Sequence, residues 1–214
     1  MLKKFSPEKL EDILETGIEI FADKGLHGAP MASIAQQAGV SVGVLYKYYA
    51  NKEDFFRACL HHSLNSLESL LQEVTSREDK LLNYSRQLIR ALQSFSAPHP
   101  SHIRMYHQIT ASSGEPARQL AAEIEGLSSR LYTRLIADGS SSGALRRDID
   151  PALFAFFFDN LLMMLQFSYC CDYYKARMEL YCGGMPEDSL VEEQLLRFLE
   201  SAFTFDRSLV PHGD

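Results

Sequence analysis

The 214-residue chain is 46% hydrophobic and 23% charged, with a net charge of −7, a globular composition long enough to bury a sizeable core. The acidic balance excludes a binder that holds polyanions by overall basicity, although residues 1–57 stand at −1 and the remainder at −6. The opening MLKKFSPEKL leads into a polar helical pattern without the apolar stretch of a signal peptide, which predicts a cytoplasmic protein. Cys59, Cys170, Cys171 and Cys182 form no CxxC pair, so reduced and mostly buried thiols are expected, with neither metal nor cofactor.

No alternating apolar pattern persists, whereas 3.6-residue periodicity recurs with caps at its ends, and the fold class is all-α. The first helix is predicted from Pro7 to Lys24, with Ser6 as N-cap and Gly25 as the stop. Pro30 opens a short helix, MASIAQQA, that Gly39 closes, and Ser41 caps a second, VGVLYKYY. Asn51 and Asp54 have the spacing of a capping box and start a longer helix to about Val74. Further helices are expected near 78–95, 100–111 and 115–138, before the glycine- and serine-rich loop DGSSSGALRRDID. The most apolar segment starts at Pro151 and is read as one helix to about Met178. CGGMP breaks it, and a last helix runs from Pro186 to about Phe205. Asp159, Asn160 and Gln166 oppose a membrane span here, since a mid-span Asp alone costs roughly 2.5–3.5 kcal/mol, and a buried helix is expected.

Two short helices joined through AGVS make a helix-turn-helix. Ile34, Ala35, Ala38, Val40, Leu45 and Tyr49 fall where such a unit buries its core, leaving Ser41, Val42, Gly43, Val44, Tyr46, Lys47 and Tyr48 outward. Small residues at the start of the second helix allow deep entry into a major groove, while Tyr46, Lys47, Tyr48 and Lys52 would reach sugar and phosphate. The expected partner is a double-stranded DNA operator.

The stretch FADKGLHGAPMASIAQQAGVSVGVLYKYYANKEDFF resembles the DNA-binding region of the TetR-type (TetR/AcrR) family of bacterial transcriptional regulators over residues 10–57. The resemblance implies a homodimeric all-α regulator with an N-terminal helix-turn-helix and a divergent C-terminal domain for ligand binding and dimerisation. It carries phosphate contacts to Tyr46 and Lys52, and the recognition surface to Ser41, Val42, Val44, Lys47 and Tyr48. Met31 stands where many members have a capping Thr, and Ser33 is the substitute considered; Tyr49 replaces a core Phe. Residues 1–50 are assigned to the DNA-binding domain and 51–214 to the ligand-binding and dimerisation domain.

GVSVG also satisfies GxSxG, but a nucleophile elbow needs a strand before it and IAQQA reads as helix, so no catalytic residue and no enzyme are expected. His99 and His102 could share a helix face, but neither spacing supplies a third metal ligand. Aromatic, methionine and polar side chains of the second half supply candidate pocket residues: Tyr84, Phe95, His102, Met105, Tyr106, His107, Phe157, Asn160, Met164 and Phe167, with Gln166 as a further polar group. Low basicity there favours a neutral or cationic small molecule. Val191, Leu195, Phe198, Leu199 and Ala202 form the stripe assigned to a dimer interface. The reading is a ligand-responsive regulator, most simply a repressor released from a palindromic operator by a small apolar or aromatic effector; the competing one is a helical protein-interaction module with a degenerate DNA-binding head.

Overall fold

The computed structural model describes residues 5–75, 81–111 and 113–203. Ten helices cover most of these residues: α1 Pro7–Gly28, α2 Met31–Gln37, α3 Val42–Tyr48, α4 Lys52–Thr75, α5 Leu81–Ser96, α6 Pro100–Thr110, α7 Gly114–Ser142, α8 Pro151–Cys170, α9 Asp172–Cys182 and α10 Asp188–Phe203. The capping chemistry is local. Ser6 accepts from the Lys9 amide at 3.3 Å, Asn51 from Asp54 at 2.7 Å, and Asp150 from both Ala152 and Leu153 at 2.9 Å. Each such cap is worth about 1 kcal/mol. Gly25 is the break expected in α1, with φ 65°, and helical turns resume beyond it to Gly28.

Three boundaries differ from the sequence expectation. Helix α7 continues through Gly139 and the serines to Ser142, ending at Gly143 in the left-handed region with φ 80°. Leu145 explains this extension: it folds back so closely over Gly139 that a methyl there would lie 2.6 Å from its Cδ1, and its amide donates to the Gly139 carbonyl at 3.0 Å. Helix α8 stops at Cys170 because Cys171 is extended and buried, and α9 starts afresh with Asp172 in its first turn. Helix α10 begins at Asp188 instead of Pro186, with the Glu187 carbonyl accepting from Leu190 and Val191. The expected starts at residues 78–80 and ends at 204–205 lie outside the described residues.

Three apolar clusters organise the packing. The first joins α1–α3 through Ile13, Ile18, Phe21, Ile34 and Leu45, and is completed by Phe55, Phe56 and Cys59 of α4 and by Met105 and Ile109 of α6. The second unites α5, α7, α8 and α10 around Tyr84, Leu88, Tyr132, Phe158 and Phe203. A smaller third cluster sets Ile103 of α6 against Phe167, Cys170 and Cys171. Helix α8 is long and apolar enough by composition to cross a membrane, yet Ala155, Phe158, Leu162, Leu165 and Phe167 are buried inside this protein. Cys182 is exposed and the other three cysteines are buried, all as free thiols.

Gly17 permits the tightest approach in the first cluster. A Cβ there would meet Cys59 Sγ at 2.6 Å and Phe55 Cζ at 2.7 Å, both on α4 and neither free to retreat from a close-packed core. Gly17→Ala is therefore expected to destabilise the protein by about 1–3 kcal/mol, despite alanine's better helix propensity. A urea titration reads this as a lower midpoint, and an unchanged midpoint would contradict the packing.

Candidate nucleic-acid interface and internal cavity

Helices α2 and α3 are joined by a turn that needs a left-handed residue, and Gly39 supplies it at φ 66°. The Val40 amide reaches back to the Ala35 carbonyl at 2.9 Å, closing the turn. Fully buried Leu45 pins α3 to the core. Ser41, Val42, Gly43, Tyr46 and Lys47 are then exposed, and Val44 and Tyr48 half-buried. Ser41 also caps α3, accepting from the Val44 amide at 3.3 Å.

Tyr48 and Lys52 also have structural partners. Tyr48 stacks on Phe5 with ring centroids 4.4 Å apart, and its hydroxyl accepts from the Phe5 amide at 2.8 Å, fastening the N-terminal segment beside α3. Lys52 donates to the His27 carbonyl at 3.2 Å, which places its ammonium group where α1 ends. Lys9, missed in the sequence, holds the end of α2 by donating to the Ala38 carbonyl at 2.7 Å. Met31 is buried in the core and α2 has no side-chain cap, while Ser33 sits half-buried in its first turn.

In the second half, α4, α5, α6, α7 and α8 enclose a cavity of about 180 Å³. Of the pocket residues expected from sequence, Phe95, His102, Met105 and Tyr106 line it, as does Gln166. The others lie elsewhere. Tyr84 is buried against Tyr132; His107 packs edge-on to Phe167 and Tyr174, outside the cavity lining. Phe167 and Met164 belong to the third cluster. Phe157 is 55% exposed, and Asn160 donates to the Phe156 carbonyl on the outer surface. The last two miss because α8 turns Phe158 and Asp159 inward instead.

Acidic and polar groups unforeseen as cavity residues also line it: Ser63, Glu123, Glu125, Ser128 and Asp159. Tyr106 donates its hydroxyl to Glu125 at 2.5 Å. Burial pushes Glu125 up, with the Tyr106 bond opposing. Burial, then the neighbouring Glu125, raises Asp159 to about 6. Glu15 of α1 accepts from His102 of α6 and His62 of α4 through their Nε2 atoms, both at 2.9 Å. Burial acts to raise Glu15, but His102 and then His62 outweigh it and hold the carboxyl low. No sequence signal marks this clamp, because Glu15 sits among many acidic residues on α1.

The expected interface stripe on α10 faces largely inward. Leu199 is buried, Val191 and Leu195 pack on the second cluster, and Ala202 is half-buried. Phe198 alone of the five is largely exposed, at 58%. A helix that packs within its own chain needs the same apolar stripe as one that packs on a partner.

The buried carboxyl makes stability depend on pH. With Asp159 at about 6, the folded protein holds this proton more tightly than the unfolded chain, so its contribution is fully present below the unfolded value. That contribution, about 2–3 kcal/mol in full, is lost as pH rises through about 6. Asp159→Asn is expected to melt higher than wild type at pH 7.5, with the difference shrinking to nothing near pH 4. A variant that melts lower at pH 7.5 would show the carboxylate to be compensated.

Residues 13–59 match the family model of bacterial regulatory proteins, tetR family. The fatty acid metabolism regulator protein of Bacillus subtilis (strain 168) is 23% identical over 156 residues, 71% of this chain and 78% of that one. A structure of the transcriptional regulator FadR from Bacillus subtilis in complex with stearoyl-CoA superposes with a TM-score of 0.73 at 18% identity, covering 91% of this chain and 99% of that one. AibR in complex with isovaleryl coenzyme A and operator DNA gives 0.67 at 20%, covering 89% and 97%. These likenesses establish a shared fold, and the family match falls on the helix-turn-helix described above. Residues 13–59 therefore carry the DNA-binding region of the tetR family of bacterial regulatory proteins, and the chain is a DNA-binding transcriptional regulator.

Proposed function

We propose that the protein is a cytoplasmic homodimeric repressor, released from a palindromic operator by a small apolar or aromatic effector held in the cavity. Residues 1–50 read DNA, through Ser33, Ser41, Val42, Gly43, Val44, Tyr46, Lys47, Tyr48 and Lys52; residues 51–214 bind effector and partner. The observation that carries this reading is the double role of α6. His102, Ile103, Met105 and Tyr106 line the cavity, while Met105 and Ile109 complete the core of the DNA-reading head and His102 holds Glu15 of α1. An effector that shifts α6 shifts α1 with it, which respaces two heads relative to two half-sites. Helix α4 contributes His62 to the same clamp. That FadR and AibR of the same fold were each solved in complex with a CoA thioester supports a small-molecule effector here.

Dimerisation is supported by the outer surface. Leu153, Phe156 and Phe157 of α8 and Phe198 of α10 are each more than half exposed, and burying such side chains is worth about 1.5–3 kcal/mol apiece. Two helices from each protomer would cover them as a four-helix interface.

Selection of random duplex DNA by the purified protein is expected to enrich an inverted repeat. Replacing Tyr46 by Phe and Lys52 by Ala should weaken binding to it and lower the salt slope by about 1 for the lost lysine contact; an unchanged affinity and slope would remove both from the interface. Glu15→Gln should leave the protein folded yet reduce the effector's influence on operator affinity by about 0.5–2 kcal/mol. Equal effector response in wild type and variant would exclude the clamp as the route.

A further inference from the structure

The cavity has an electrostatic character that the DNA-reading role does not require. Its charged lining is Glu123, Glu125 and Asp159, with no lysine or arginine among the described lining residues. The influences on Asp159 are burial and Glu125, with no cation to offset them. Burying like carboxylates together is costly unless a counter-charge or hydrogen-bond donors arrive.

An independent feature points the same way. Ser63 Oγ, His102 Nδ1 and Gln166 Oε1 have no hydrogen-bond partner among the described residues, and these side chains are only 9%, 5% and 7% exposed. All three residues line this cavity. His102 Nε2 faces a carboxylate at 2.9 Å and must donate to it, so in the neutral ring Nδ1 is left as an acceptor. Gln166 Oε1 accepts only. Native interiors rarely leave such atoms unpaired, and three around one cavity mark a place where something else supplies the hydrogens. Two of the three, Gln166 Oε1 and His102 Nδ1 of the neutral ring, call for donors in a cavity that also holds carboxylates. The rest of the wall is largely apolar and aromatic, including Leu60, Leu92, Phe95, Leu162 and Tyr132.

We infer that the effector is a compact organic cation, an amine on an apolar body, whose N–H groups supply Gln166, His102 and the Glu125–Asp159 pair. The inference rests on the cavity being the effector site. It excludes ligands whose inner end is anionic, because that end would meet carboxylates with no counter-charge. The volume of about 180 Å³ limits the apolar body to a short chain or a single ring.

The test uses the whole 214-residue chain at pH 8, well above the value of about 6 to which Asp159 is raised. Phenethylamine and n-octylamine are titrated calorimetrically beside 2-phenylethanol, 1-octanol, 3-phenylpropionate, octanoate and isovaleryl coenzyme A. The amines are expected to bind about tenfold or more tightly than the alcohols, and the acids more weakly still. In Glu125→Gln/Asp159→Asn, checked for native helicity, the amine preference should collapse to within about threefold. Gln166→Leu, which leaves the carboxylates in place, should weaken the amines while keeping their rank. An acid or the CoA thioester binding more tightly than the amines overturns the inference, as does a folded protein that binds neither amine, or a preference unchanged in the double variant. Operator binding measured without any ligand separates the readings: if it stands while the amines fail, the amine inference falls and the DNA-reading role does not.

Discussion

Helix α6 is built into two cores at once. Met105 and Ile109 are buried with the residues that hold the helix-turn-helix together, and Ile103 is buried against the end of α8. Interiors packed to crystal-like density do not stretch to absorb a displacement, so α6 cannot change its place against α8 without changing it against α1. The clamp of Glu15 between His62 and His102 adds direction to that coupling, since hydrogen bonds at 2.9 Å hold the side chains of three helices at fixed distances. The first cluster thus ignores the division near residue 50 that motif reading suggests. What matters for regulation is that the reading head has no core of its own without α4 and α6.

The cavity runs against the economy of a stable fold. A chain selected for stability alone would fill this space with leucine, as it does at Leu60, Leu88 and Leu92. Instead it keeps two carboxyl groups whose burial disfavours their charged forms, together with three buried cavity-lining atoms that have no partner among the described residues. Each such departure lowers stability, and departures of this kind gather at sites where a ligand completes the structure. Tyr106 bridges the two tasks of α6: its ring packs near Phe167 while its hydroxyl holds Glu125 at the cavity wall.

The reading head was legible in the sequence because its signals are local. A glycine at the turn, a serine cap and a capping box act over three or four residues, and no distant partner can overrule them. The cavity was legible only in part, for a reason visible in α8. That helix is apolar nearly all round, so its sequence contains no phase, and Phe157 and Asn160 cannot be told from Phe158 and Asp159 until neighbours fix the rotation. The α10 stripe shows the same degeneracy between a partner's surface and the chain's own core. Helix α7 outruns its expected end because a glycine ahead of three serines has the pattern of a breaker, whereas the lack of a side chain at Gly139 makes room for Leu145 from beyond the helix. Glu15 and Glu125 were invisible because a solvated carboxylate and a clamping one are spelled alike.

The head is electrostatically thin, and this bears on how it can be switched. Residues 1–57 carry no net positive charge, so the nonspecific attraction that dominates many DNA complexes is weak here. A single head would hold its half-site loosely. Affinity must then come from two heads engaging together, where the second contact is made at the high effective concentration set by the first. That gain vanishes when the spacing of the heads departs from that of the half-sites. A regulator of this construction needs no large motion: a displacement of α6 passed rigidly to α1 is enough, because what it disrupts is the simultaneity of two weak contacts and not the strength of either.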